Sequence, residues 1–221
     1  MTPEQKLASK LVNYLDRLKL LYNNSRSKYS ANDLRCTLVA APGNTLRSYL
    51  LFFEMVISTV TQESWWKAHY NEYQPNELNR SALDNLDKKM KFMFLVSVFS
   101  QIANEFRKLV SHLSPGVCDN GNAKFKAIYD HILCKLNLRH YIHLYDLFRE
   151  IRNSIHRDGF YFSKTLLNKS ISWKLIEYKL IHGKAVDFLT HDLTLELYGD
   201  LIESLEHILN HDLLKRPTTM E

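Results

Sequence analysis

Arg149, Arg152, Asn153 and His156 lie within eight residues of one another in the stretch Leu147-Phe-Arg-Glu-Ile-Arg-Asn-Ser-Ile-His-Arg-Asp-Gly159. The pattern is helical and stops at a glycine. Two arginines, an amide and a histidine, with no set of acidic metal ligands beside them, are the parts needed to hold a phosphate and move a proton. Arginine offers a fixed fork of donors matched to phosphate oxygens. Histidine titrates near neutrality and therefore accepts or donates a proton at physiological pH. Together they point towards RNA cleavage.

At about 100° per residue, Leu144, Leu147, Phe148, Ile151 and Ile155 fall on one arc of this helix, and Tyr145, Arg149, Arg152, Asn153 and His156 on the adjoining one. Asp146, Glu150 and Arg157 fall opposite the apolar arc, where a plain solvent face is expected. Arg152 and His156 are four apart and Arg149 and His156 seven apart, so all three side chains project towards one phosphate-sized spot. The competing reading makes them ordinary solvated residues. Arg149 or Arg152 then pairs with Glu150 or a neighbouring acid, and His156 is a cation at the helix carboxy terminus.

The motif resembles the HEPN superfamily, small helical domains marked by an arginine, often followed by Asn, Asp or His, and then a histidine after four to six residues. Arg149 to His156 has six between and fits; Arg152-Asn153 matches the dipeptide, but only three residues separate Arg152 from His156. The likeness extends to the wider order of long helices, motif, hairpin and closing helix over roughly residues 80 to 214. It implies a metal-independent endoribonuclease that needs no cofactor, generally a homodimer with two motifs in one cleft, and in many members a toxin or phage-defence protein with an antitoxin or other partner. His156 would assist 2′-hydroxyl attack and the arginines would stabilise charge on the phosphate, with Asn153 in support. Other members bind RNA or protein partners without cleaving, which keeps a non-catalytic adaptor as the second reading.

The elements that must position these residues are helices. Leu7, Leu11, Val12, Leu15, Leu18 and Leu21 describe a first helix from Glu4 to about Ser27. Pro42-Gly43-Asn44 reads as a turn before a second helix from about Leu46 to Trp66, and Tyr73-Gln-Pro-Asn76 as the next break. Glu77 to about Leu113 contains neither proline nor glycine and forms the longest helix. Ser114-Pro-Gly116 and Asp119-Asn-Gly-Asn122 form a loop, followed by a short helix around Ile128 and Ile132, then the motif helix from about Arg139 to Arg157. Phe160-Tyr-Phe162 and Ser172 to Ile181 are rich in aromatic and β-branched residues, the texture of a small β-hairpin. Thr190 caps a last helix with Leu193, Leu197, Leu201, Leu205, Ile208 and Leu209 as its buried stripe, and the tail from Lys215, with Pro217, is expected to fray. The expectation is a mainly α single domain over residues 1–221, a bundle of five to six helices with a hairpin before the last one.

Only six glycines and five prolines in 221 residues disfavour a loop-rich or all-β build. A net charge of +5 and a pI near 9.0 suit a polyanionic partner. Cys36, Cys118 and Cys134 are odd in number and form no Cys-x-x-Cys pair, so they are expected to be reduced thiols in a cytoplasmic protein. The start of the chain lacks the order of a signal peptide. The most apolar run, Phe92 to Phe99, is far shorter than the roughly 20 residues a membrane span needs, so no membrane association is expected. His207 and His211 with Asp212, or His140 and His143, could be drawn as metal sites, but neither set supplies a third convincing ligand. Trp65-Trp66 with Lys67, His69, Tyr70 and Tyr73 could stack bases or simply form core, and Lys88, Lys89, Lys91, Arg107 and Lys108 give the long helix a basic side. Glycine-rich phosphate loops and serine-hydrolase elbows are missing from the sequence.

Overall fold

The computed structural model describes residues 3–60, 62–117, 124–157 and 159–215. The chain is mainly α, a helical bundle with a two-stranded antiparallel hairpin before its last helix. The elements are α1 (Pro3–Arg26), α2 (Leu34–Val60), α3 (Glu63–Tyr70), α4 (Glu77–Leu113), α5 (Phe125–Lys135), α6 (Ile142–Ile155), β1 (Lys169–Trp173), β2 (Ile176–Leu180) and α7 (His191–Asn210). A 3-10 turn, Arg139–Tyr141, leads into α6 and takes up the start of the expected motif helix. Cys118, the expected turn Asp119-Asn-Gly-Asn122, Asp158 and the tail with Pro217 lie outside the described residues.

The spine is α4. Asn76 caps it, its side chain accepting the Asn79 N–H at 2.9 Å. No helix breaker interrupts its 37 residues. Its second half, from Phe94 to Val110, is buried against α2, α5, α6 and α7, whereas no described position from Glu77 to Met93 is buried. At the other end of the chain, the Thr190 hydroxyl accepts the Leu193 N–H at 3.1 Å and starts α7, whose expected stripe is core apart from the half-buried Leu209. Gly199 lies so close to α1 that a Cβ there would stand 2.6 Å from the Tyr14 hydroxyl oxygen, so only glycine fits without displacement.

Two sequence expectations fail at α2. Pro42-Gly43 is not a turn but lies inside the helix, which runs on from Leu34. Proline costs a helix interior about 3 kcal/mol, but here Leu34, Leu38, Val39 and Leu46 are buried on both sides of it, and the Tyr198 hydroxyl from α7 donates to the Pro42 carbonyl at 2.8 Å. Burial of four large side chains at about 1.5–3 kcal/mol each outweighs the proline. The break falls instead after Val60, where the Trp66 indole N–H turns back to the Val60 carbonyl at 2.7 Å. A separate short helix, α3, is the result, and it takes the α-helix count among the described residues to seven.

The hairpin needs no Asn-Gly signal. Lys174 and Leu175 form its two-residue turn with positive φ at both positions, 49° and 63°, the handedness that matches strand twist. Ile171, Trp173, Tyr178 and Leu180 point into the core and their neighbours point out. Phe160-Tyr-Phe162 is not one of the strands: Phe160 makes a single bridge to Ala185, and the Tyr161 N–H bonds the Lys184 carbonyl at 2.9 Å.

Among the described residues, one ion pair is fully internal. Arg35 and Asp33 are 2% and 1% exposed and meet at 2.6 Å, while Arg35 also donates to the Leu214 carbonyl at 2.8 Å and lies over the Tyr29 ring. Arg35 ties the start of α2 to the end of the described chain, where Leu214 is buried. Removing Asp33 takes a carboxylate at 2.6 Å away from a buried guanidinium. Asp33→Ala is expected to cost roughly 3–5 kcal/mol in urea unfolding, with much of the loss recovered in the double variant Asp33→Ala, Arg35→Met. A single variant within 1 kcal/mol of the parent would contradict this account.

Candidate functional site

The apolar arc of α6 decides where the motif goes. Leu144, Leu147, Phe148 and Ile151 are buried and Ile155 half-buried, which turns the neighbouring arc towards α4 and α5. The helix ends as the sequence suggested: Gly159 has φ 87°, and its N–H returns to the Ser154 carbonyl at 3.0 Å. A Cβ on Gly159 would meet the Phe92 ring of α4 at 3.3 Å, so the stop also brings the end of the motif against α4.

Arg149, Arg152, Asn153 and His156 all line one open cavity of about 780 Å³ between α6, the end of α4, the start of α5 and the loop before β1. Among the described residues, eight lysines and arginines border this space against a single carboxylate, that of Glu150. Arg107, Lys124, Arg152, Arg157 and Lys164 make no ion pair among the described residues. Phe99, Phe125 and Phe162 supply aromatic surface between the charges. Such a space attracts a polyanion.

The two arginines differ. Arg149 is only 18% exposed and is held by Glu150 at 2.5 Å and Asp146 at 3.4 Å, the pairing the solvated reading assigned to it. Burial works against its charge, but Tyr129, Glu150 and Asp146 outweigh that and hold its pKa above the ordinary value. Turning it towards a phosphate would break buried pairs at a cost of roughly 3–5 kcal/mol. Arg152 is freer. Its Nη1 makes one long bond to Asn153 Oδ1 at 3.4 Å, its Nε is buried with no partner, and its guanidinium lies 5.8 Å from the Phe99 ring centre. The exposed His156 ring has no bonding partner among the described residues.

The face expected to meet solvent does not. Glu150 is buried, receiving Lys169 of β1 at 2.8 Å as well as Arg149, and Asp146 is half-buried under Tyr129 at 2.5 Å and Lys126 at 3.2 Å. The hairpin and α5 fold back over this side of α6, a long-range event that a helical wheel does not contain. Arg157, the third residue of that face, is exposed and donates to the Phe162 carbonyl at 2.9 Å. Sequence reasoning also missed Lys124, Lys126, Lys164 and Lys169 as cavity residues. Their only trace in the sequence is the net charge.

The other sequence candidates resolve locally. His207 bonds the Tyr141 hydroxyl at 2.8 Å and His211 accepts the Leu213 N–H at 3.2 Å. No three His, Cys, Asp or Glu side chains gather as a ligand set among the described residues. Trp66 is buried, Trp65 stacks on His69 at 4.7 Å, and the Lys67 ammonium lies 4.4 Å from the Tyr73 ring centre, while Tyr70 and Tyr73 remain exposed. Burial pushes the Cys36 thiol up, while Cys134 is exposed and free. No helix among the described residues is long and apolar enough to cross a membrane. Comparison with protein-family models, curated proteins and solved structures finds no match for this chain.

Burial alone would raise the Asp146 carboxyl, but the Tyr129 hydroxyl, Lys126 and Arg149 outweigh it and hold it below the ordinary aspartate value. A carboxyl whose pKa is depressed by folding stabilises the fold above its unfolded value of about 3.9 and loses that contribution as pH falls through the folded value. Asp146→Asn is therefore expected to flatten the acid limb of stability against pH, read as urea midpoints from about pH 6 down to about pH 3. Parallel acid limbs in parent and variant would rule out Asp146 as a source of that slope.

Proposed function

We propose that this chain is a HEPN-like, metal-independent endoribonuclease with His156, Arg152, Asn153 and Arg149 in its cleft. The observation that carries the reading is the basic, aromatic-lined cavity lined together by Arg152 and by the exposed His156 ring, which has no bonding partner among the described residues. In this reading His156 takes the proton of a 2′-hydroxyl, the 2′-oxygen attacks phosphorus, and the bond to the 5′-oxygen breaks as that oxygen is protonated. Arg152 stabilises the charge that develops on the phosphate oxygens. The products are a 2′,3′-cyclic phosphate and a 5′-hydroxyl.

Arg149 then acts at one remove. Locked by Asp146 and Glu150, it contributes field rather than a direct contact, although its spacing to His156 is the one that fits the motif. The homodimer and a toxin or phage-defence role with an antitoxin partner come from the resemblance, and the cytoplasmic setting from the unpaired cysteines of the sequence. The same locked arginine supports the second reading, a non-catalytic module that binds RNA or a partner protein through this cavity.

Purified protein incubated with mixed RNA in EDTA separates the two. Cleavage by the parent, its loss in His156→Ala, and a drop of about 100-fold or more in Arg152→Ala are the expected results. Undiminished cleavage in the His156 variant sinks the assignment. RNA binding without turnover by the parent selects the adaptor.

A further inference from the structure

His156 borders a second space. On its other side lies a groove of about 630 Å³, walled by Phe92, Met93 and Val96 of α4 and by Ile155 of α6, with Lys88 and Lys89 at its rim. Among the described residues, His156 is the one that lines both this groove and the basic cavity. The volume is of the size that holds a small organic ligand, roughly 300–1,000 Å³. The walls here are apolar, in contrast to the cations beyond His156.

The α4 residues of the groove repeat at three- and four-residue steps, so they form one stripe of that helix. Continued along α4, the stripe reaches Phe99 and then Arg107 in the basic cavity. At about 1.5 Å per residue, Lys88 and Arg107 are about 28 Å apart along the axis. That distance corresponds to a short run of nucleotides. Neither Lys88 nor Lys89 is ion-paired among the described residues, and the Lys88 ammonium lies 5.6 Å from the Phe92 ring centre. Gly159 stands at the edge of that ring, where a Cβ would meet Phe92 Cε2 at 3.3 Å and Lys88 Cε at 3.9 Å.

We infer that this groove is a base-binding subsite: a nucleobase of a polynucleotide chain lies on Phe92 between Met93 and Val96, with its phosphates on Lys88 and Lys89 and the next phosphate on the basic side of His156. Charge complementarity and continuity with the basic cavity favour this occupant over a second copy of the chain, which would bury two unpaired lysines. A base paired within a duplex cannot enter the groove, so the subsite selects unpaired nucleotides. The inference rests on RNA being the ligand of the neighbouring cavity, but not on cleavage.

Binding is measured by fluorescence anisotropy with full-length protein and a single-stranded 2′-O-methyl oligoribonucleotide, which cannot be cleaved by 2′-oxygen attack. The parent is expected to bind the single strand about tenfold more tightly than a blunt duplex of the same sequence. Phe92→Leu, which keeps the apolar wall but removes the ring, and separately the surface pair Lys88→Gln with Lys89→Gln, are each expected to weaken single-strand binding about tenfold. Phe92→Leu should leave the binding of inorganic polyphosphate unchanged, and thermal melting of both variants should match the parent. Equal affinity for duplex and single strand, or unchanged binding in both variants, overturns the subsite. A second copy as occupant would show as a shift from dimer to monomer in sedimentation of Met93→Asp with RNA binding intact. Absence of cleavage by a parent that passes these binding tests would overturn the nuclease reading and leave the subsite standing.

Discussion

Leu144, Leu147, Phe148 and Ile151 of α6 must leave water, and the places where they do so are the faces of α4, α5 and α7. A helix has one azimuth. Once its apolar arc is seated, every other side chain on α6 is aimed, and the arc carrying Arg149, Arg152 and Asn153 faces the gap between the end of α4 and the start of α5. The cavity is therefore a consequence of core packing rather than a feature added to it. Its chemistry depends on the same few kilocalories that hold the core, since about 1.5–3 kcal/mol per buried side chain is what keeps the azimuth from drifting.

Around that seated helix the electrostatics divide into two kinds. On the covered side, Glu150 and Asp146 are surrounded by Arg149, Lys169, Lys126 and the Tyr129 hydroxyl, and charge is balanced within the protein. On the open side, Arg107, Lys124, Arg152, Arg157 and Lys164 have no carboxylate partners among the described residues. In the proposed reading a polyanion would complete the second set and would have nothing to complete in the first. That contrast is why Arg152, the arginine with the shorter spacing to His156, has the side chain better placed to meet a phosphate, and why Arg149 serves the fold as much as any ligand.

Much of the fold was legible because long-range packing and local preference agree in most elements. Asn76 and Thr190 are cap residues that cap, α4 runs unbroken because nothing in it breaks a helix, and Gly159 ends the motif where a left-handed residue is needed. The disagreements are those where distant contacts outweigh a local rule. Pro42 remains helical because α2 is core on both sides of it, α3 separates because an indole N–H finds a carbonyl six residues back, and Phe160-Tyr-Phe162 pairs beyond the hairpin rather than within it.

For the candidate site, the sequence by itself determined the four residues, their common side of a helix and the glycine stop, since those follow from a 3.6-residue period and one positive φ. It could not determine which arginine is free. That choice was made by β1 and α5, which bring Lys169, Lys126 and Tyr129 over the supposed solvent face and enclose Glu150 and Asp146 beside Arg149. Nor does a spacing rule place Lys124 or Lys164 in one cavity with His156, because they come from loops whose positions depend on the packing of whole elements. Local periodicity fixes direction within one helix, whereas the partners of a charge are set by whatever the rest of the chain folds against it.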